Sequence, residues 1–72
     1  MQNSELHRHQ CEVRHYLATR VEKGAGGRDW LRRVLDDIER KRGRAAAQRL
    51  KDDIVTQWQA GNRGAPGDWR VA

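Results

Sequence analysis

The chain has 72 residues, 36% hydrophobic and 35% charged, with a formal net charge of +5. A chain of this length buries only about 60% of its unfolded surface, so its core must be thin. One cysteine excludes an intramolecular disulfide, no apolar run approaches the roughly 20 residues of a membrane span, and no apolar signal region follows Met1. We therefore expect one cytoplasmic domain over residues 1–72 that does not contact a membrane.

The first predicted helix covers residues 4–22. Ser4 followed by Glu5 is typical of a helix start. An apolar stripe at helical spacing runs along it, formed by Leu6, Val13, Leu17 and Val21. The run KGAGG at residues 23–27 then ends the helix and predicts a flexible joint.

The second predicted helix covers residues 29–42, with Asp29 as its N-cap. It has the clearest amphipathic pattern in the chain, formed by Trp30, Leu31, Val34, Leu35 and Ile38. Oppositely charged residues four apart line its outer face and favour the helix. Gly43 ends it by permitting a left-handed backbone conformation.

The third predicted helix covers residues 44–60 and is closed by Gly61. Its inward face consists of Ala46, Ala47, Leu50, Ile54 and Trp58. The short connection at Gly43 makes the second and third helices antiparallel neighbours or a bent corner, and in such a hairpin Trp30 and Trp58 can bury against each other. With no β pattern, the sequence predicts an all-α domain of three helices.

The tail, residues 61–72, is rich in glycine and is predicted to be irregular. Its tryptophan, Trp69, either packs back onto the helices or docks onto a partner. Pro66 and Gly67 favour a turn that returns the indole to the helices. We therefore interpret Trp69 as capping the core, and keep partner binding as the alternative.

Four cations surround Gly43 and form what we term the basic tip: Arg40, Lys41, Arg42 and Arg44. A helix-turn-helix is disfavoured, because Glu39 and Arg49 stand where a small and an apolar residue are expected. The first N–H groups of the third helix could bind phosphate or a carboxylate. Cations in a last helical turn also simply offset the helix dipole. We interpret the basic tip as a charged hairpin end first and a binding site second.

The first helix also carries His7, Cys11 and His15 on one face, four residues apart. Imidazole and thiolate suit zinc, but three ligands over two turns span about 12 Å, too far for one ion. These residues are weak metal candidates, and we predict no cofactor. So small an apolar core rarely forms a pocket for a Cys–His nucleophile, so we predict no enzyme activity.

Three segments, QCEVRHYL, RDWLRRVLDDIERKRGRAAAQRLKDDIVTQW and NRGAPGDW, resemble small proteins encoded in phages and prophages of Gram-negative bacteria. That group has no established activity. The resemblance implies an accessory protein that binds and modulates or inhibits a host or phage protein, defence complexes among them.

The predicted function is therefore non-catalytic binding of another protein. The alternative is nucleic-acid binding through the basic tip and Arg49, since a basic surface suits a polyanion. The cations are interleaved with acids along the whole chain, so composition does not decide between the two. The thin core also predicts that a partner or a second copy, as a homodimer, completes it.

Overall fold

The computed structural model describes residues 4–71, and the protein is all-α. Helix α1 spans Ser4–Lys23, a 3₁₀ turn spans Gly24–Gly26, α2 spans Gly27–Arg42, and α3 spans Arg44–Gln59. Residues 60–71 are irregular, and residues 4–71 contain no strand. Each helix packs against the other two.

The helix count differs from the prediction. Helical elements follow one another without a gap from Ser4 to Arg42 and again from Arg44 to Gln59, so residues 4–71 form two continuous helical segments, not three, and the first contains α1, the 3₁₀ turn and α2. The 3₁₀ turn divides the first stretch, with Gly24 at a φ of 60°. The prediction that residues 23–27 end the first helix is confirmed, since α1 ends at Lys23, and the flexibility of this joint stays a prediction.

The close approach of α1 and α2 explains this tight turn. Gly27 is buried, and a Cβ on it would lie 2.4 Å from the carbonyl oxygen of Arg20. Glycine is needed at this position so that the start of α2 can lie against the last turns of α1. Because α2 already begins at Gly27, with Gly26 as its N-cap, the predicted cap at Asp29 is also wrong.

The core draws on all three helices. Its buried members are Val13, Leu17, Leu31, Ile38, Ala47, Leu50 and Ile54. Only the middle of the predicted α1 stripe contributes, since Leu6 is 43% exposed and Val21 is 49% exposed. The two ends of the predicted stripe therefore lie outside the core.

The connection between α2 and α3 is a single residue. Gly43 has φ 94° and ψ 167°. The positive φ agrees with the prediction, but the extended ψ is not that of a left-handed helix. Since this region is open essentially to glycine alone, Gly43 lets α3 begin one residue after α2 ends.

The two hairpin tryptophans do not pack against each other as predicted. The ring of Trp30 lies 6.2 Å from that of Tyr16. The guanidinium groups of Arg20 and Arg63 lie 3.9 and 3.6 Å from the centroid of the Trp58 ring. Helix α1 therefore supplies a partner for each indole.

The end of α3 has the hydrogen bonds of a Schellman motif. The N–H of Asn62 donates to the carbonyl of Gln57 at 2.8 Å, and the N–H of Gly61 donates to that of Trp58 at 3.0 Å. Gly61 takes a φ of 95°. The predicted closure of α3 at Gly61 is confirmed.

The tail folds back against the helices, and Trp69 packs against the core. A clamp formed by Gln57 holds it: the side-chain amide donates to the carbonyl of Arg70 at 2.7 Å and accepts from its N–H at 2.9 Å. Asn62, fully buried, donates to Gln57 and to the carbonyl of Asp68. These amides satisfy tail backbone groups that would otherwise be buried without partners.

Candidate functional site

Three of the four cations of the basic tip form intramolecular ion pairs. Arg42 donates to both carboxylate oxygens of Glu12 on α1, at 3.1 and 2.7 Å. Arg40 and Lys41 both pair with Asp37, at 3.5 and 3.0 Å. Arg42 thus ties the end of α2 to α1, which makes it a structural residue in this fold.

The other predicted binding residues, Arg44, Arg49 and Trp69, do not form one site with Arg42. Arg44 and Arg49 are exposed and make no ion pair within residues 4–71. Trp69 packs against the core. Nucleic-acid binding at the tip stays a prediction, with fewer available cations than the sequence suggested.

The Arg42–Glu12 pair belongs to a cluster with Tyr16. The hydrogen bond from Arg42 lowers the pKa of Glu12 below its usual 4.5 and raises that of Arg42. Tyr16 donates to the same carboxylate at 3.0 Å. Burial and that hydrogen bond raise the pKa of Tyr16 to about 12. The carboxylate is thus held ionised at the junction of α1 and α2.

The lowered pKa of Glu12 predicts how Arg42→Gln changes stability with pH. A carboxyl with a depressed folded pKa stabilises the fold fully above its unfolded value, and this contribution is lost as pH falls through the folded pKa. Arg42 is half exposed, so solvent screening limits the expected loss to about 0.5–1 kcal/mol near pH 7. The difference from wild type should shrink below about pH 4.5.

Urea unfolding at about pH 7 and about pH 3 measures this difference directly. Arg33→Gln is the control, because Arg33 is exposed on α2 and makes no ion pair within residues 4–71. A loss for Arg42→Gln that is equal at both pH values would contradict the assigned role of the pair.

The His7, Cys11 and His15 face of α1 is exposed. His7 Nε2 lies 3.5 Å from Cys11 Sγ, and Arg14 donates to the same sulfur at 3.2 Å. The ring of His15 contacts that of Tyr16 in a tilted arrangement, with 5.7 Å between ring centroids. Within the described residues, no three His, Cys, Asp or Glu side chains converge on a point that could hold a metal ion.

A groove of about 570 Å³ lies between α2 and α3. Apolar side chains form its floor: Leu31, Leu35, Ala47, Ile54, Val55 and Trp58. Charges of both signs form its rim: Arg28, Arg32, Lys51, Asp29, Asp36 and Glu39. An apolar floor with a charged rim is typical of grooves that bind the apolar face of an amphipathic segment.

A second cavity of about 500 Å³ adjoins the groove at Arg20, Arg28 and Trp58, which line both. We term it the arginine pocket. Its remaining lining residues are Val21, Gly24, Ala25 and Arg63. Three arginines and no acidic residue therefore line this cavity.

A comparison with known protein families identifies the family of this chain. Residues 1–61 match the family described as a family of unknown function, DUF7696. The chain belongs to DUF7696. The DUF7696 match spans the three helices and every residue that lines the groove, whereas Arg63 of the arginine pocket lies beyond it. No curated protein and no solved structure matches the chain.

Sequence reasoning missed both cavities of this DUF7696 chain. It did assign Leu31, Leu35, Ala47, Ile54 and Trp58 to inward faces, but it did not include Val55 or place a cavity beside them. Arg20 and Arg28 flank the glycine run at residues 23–27, a local signal that could have indicated two cations at one turn. Arg63 had no such signal, because the Schellman turn after α3 brings it to Trp58. The phage origin suggested by the resemblance stays a prediction.

No helix within residues 4–71 combines the length and apolar character that a bilayer span requires.

Proposed function

We propose that this chain is a non-catalytic binding protein whose groove between α2 and α3 receives an amphipathic helical segment of another protein. The groove carries the proposal. It is an open cavity of about 570 Å³ over the hairpin, the size range of ligand and peptide sites. Val55, on its floor, is 44% exposed, whereas Leu31, Ala47 and Ile54, which also line the groove, are buried.

The charges on the rim favour a protein segment over a polyanion. Asp29, Asp36 and Glu39 stand among the rim arginines and lysine. A nucleic-acid backbone would bring its phosphates against these carboxylates, which is unfavourable. A helix with both kinds of charge beside its apolar face can pair with both.

The resemblance to phage-encoded proteins supports a host or phage protein as the partner. Binding of that protein in the groove would modulate or inhibit it. A second copy of the chain is the alternative occupant, because the rim's mixed charges could also pair across a two-fold axis.

The test is a pair of aspartate substitutions on neighbouring α3 residues. A photoreactive amino acid at Val55 first crosslinks and identifies the partner, which is then purified. Val55→Asp places a charge on the groove floor, and we expect it to weaken partner binding at least about tenfold, or about 1.4 kcal/mol. Thr56→Asp adds the same charge to an exposed residue outside both cavities and should change affinity less than about twofold.

Circular dichroism of both variants checks that each remains helical. Equal affinities for Val55→Asp and Thr56→Asp would contradict docking in the groove. Crosslinked material that a nuclease removes would instead identify a nucleic acid, and a crosslink to a second copy would identify self-association.

A further inference from the structure

The arginine pocket concentrates positive charge to a degree that the fold itself does not require. Arg20, Arg28 and Arg63 line one cavity with no carboxylate among its lining residues. Within residues 4–71, none of the three forms an ion pair. Like charges held together without a counter-charge cost free energy, which a bound anion would recover.

Cation–π contact accounts for only part of this arrangement. The guanidinium groups of Arg20 and Arg63 lie 3.9 and 3.6 Å from the Trp58 ring centroid. Arg63 also donates to the carbonyl of Trp58 at 2.7 Å, so it satisfies a carbonyl at the end of α3. Neither contact explains Arg28, which is exposed beside them.

The contacts with Trp58 also orient the two guanidinium groups. An arginine stacked on an aromatic ring keeps part of its planar fork free for hydrogen bonds. Guanidinium forks match phosphate oxygens in two-point hydrogen bonds, which are about twice as strong as neutral ones. The pocket's volume of about 500 Å³ admits a ligand of nucleotide size.

We propose that the arginine pocket binds the phosphate groups of a nucleotide or of a single nucleic-acid strand through Arg20, Arg28 and Arg63. The site differs from the basic tip, which the sequence suggested and in which Arg40, Lys41 and Arg42 pair with Glu12 and Asp37. It also goes beyond the proposed protein-binding function, because its ligand differs from the segment in the groove. Trp58 is common to both cavities, so the two ligands would contact a shared side chain.

The experiment titrates the full chain with three probes: inorganic pyrophosphate, adenosine diphosphate and a short thymidine oligonucleotide. Amide and indole N–H resonances locate binding, and anisotropy of labelled oligonucleotide gives its affinity across a series of salt concentrations. The variants are Arg28→Gln and Arg63→Gln. Arg33→Gln is the matched control, since it removes the same charge from an exposed α2 residue that lines neither cavity.

The expected result is that resonances of the 3₁₀ turn and of Trp58 shift with the phosphate probes. Arg28→Gln and Arg63→Gln should each weaken oligonucleotide binding about tenfold at low salt and reduce the log–log salt slope by about 0.7, one phosphate contact. Arg33→Gln should keep the wild-type slope. Tighter binding of the diphosphate than of the oligonucleotide would identify a nucleotide as the source of phosphate, and the reverse would identify a strand.

Two results would overturn the proposal. One is the absence of shifts around the turn and Trp58 with all three probes. The other is an equal loss of affinity in Arg28→Gln, Arg63→Gln and Arg33→Gln, because net charge alone would then account for the binding. Either result leaves the groove experiment unaffected, since Val55 does not line the arginine pocket.

Discussion

Gly27→Ala is expected to lower the free energy of unfolding by about 2–3 kcal/mol, the upper part of the usual cost of overpacking. Its backbone, with φ −65° and ψ −35°, suits alanine. However, the new methyl group would lie 2.4 Å from the carbonyl oxygen of Arg20 and 2.9 Å from its Cγ. Because that oxygen belongs to helical backbone, α1 and α2 must move apart to make room.

Gly26→Ala is the matched control, one residue earlier. Its backbone, with φ −82° and ψ −6°, also suits alanine, and a Cβ there meets nothing within 4 Å. Replacing a glycine without strain stabilises a protein by about 0.4–1 kcal/mol through the unfolded chain. Chemical denaturation should therefore give opposite signs for the two variants. A Gly27→Ala protein as stable as Gly26→Ala would contradict the close approach of α1 and α2.

Trp69→Ala is expected to lower the free energy of unfolding by about 2–4 kcal/mol, somewhat below the 3–5 kcal/mol typical of a fully buried tryptophan. Trp69 is half-buried and packs against the core. Its loss exposes core residues to solvent and removes a contact that holds the tail against the helices. Thermal melts monitored at a helical wavelength measure the effect.

Val71→Ala is the control for the tail, because Val71 is 88% exposed and its truncation should cost less than about 0.5 kcal/mol. A chain ending at residue 61 should melt at least as early as Trp69→Ala. If Trp69→Ala instead melted like wild type but bound the partner more weakly, Trp69 would be a docking anchor and its role in the core would be refuted.

The helical parts of the fold were predictable because their signals are local. Residues 27–42 repeat apolar side chains at helical spacing, and Gly43 and Gly61 end helices through their own backbone freedom. The 3₁₀ turn was not predictable in this way. Gly27 is required by its distance from Arg20, which exists only once α1 and α2 have packed.

The candidate site was less predictable, since it depends on contacts between distant residues. The sequence identified the basic tip from its density of charge, but Glu12, which neutralises Arg42, lies 30 positions away. Arg63 meets Trp58 only through the turn that follows α3. Charge density along a chain therefore indicated cations, while the tertiary fold decided which of them face an open cavity.

The clamp at Gln57 has an evolutionary consequence. It recognises the carbonyl and N–H of residue 70, and Asn62 recognises the carbonyl of residue 68. Every residue except proline offers both backbone groups, so the clamp places almost no demand on side-chain identity at position 70. Arg70 itself adds a hydrogen bond to the carbonyl of Ala60 at 2.8 Å, yet a substitution there would keep the two backbone hydrogen bonds that hold the tail. The tail can thus diversify in sequence, and acquire new surface chemistry, while its path across the helices is retained.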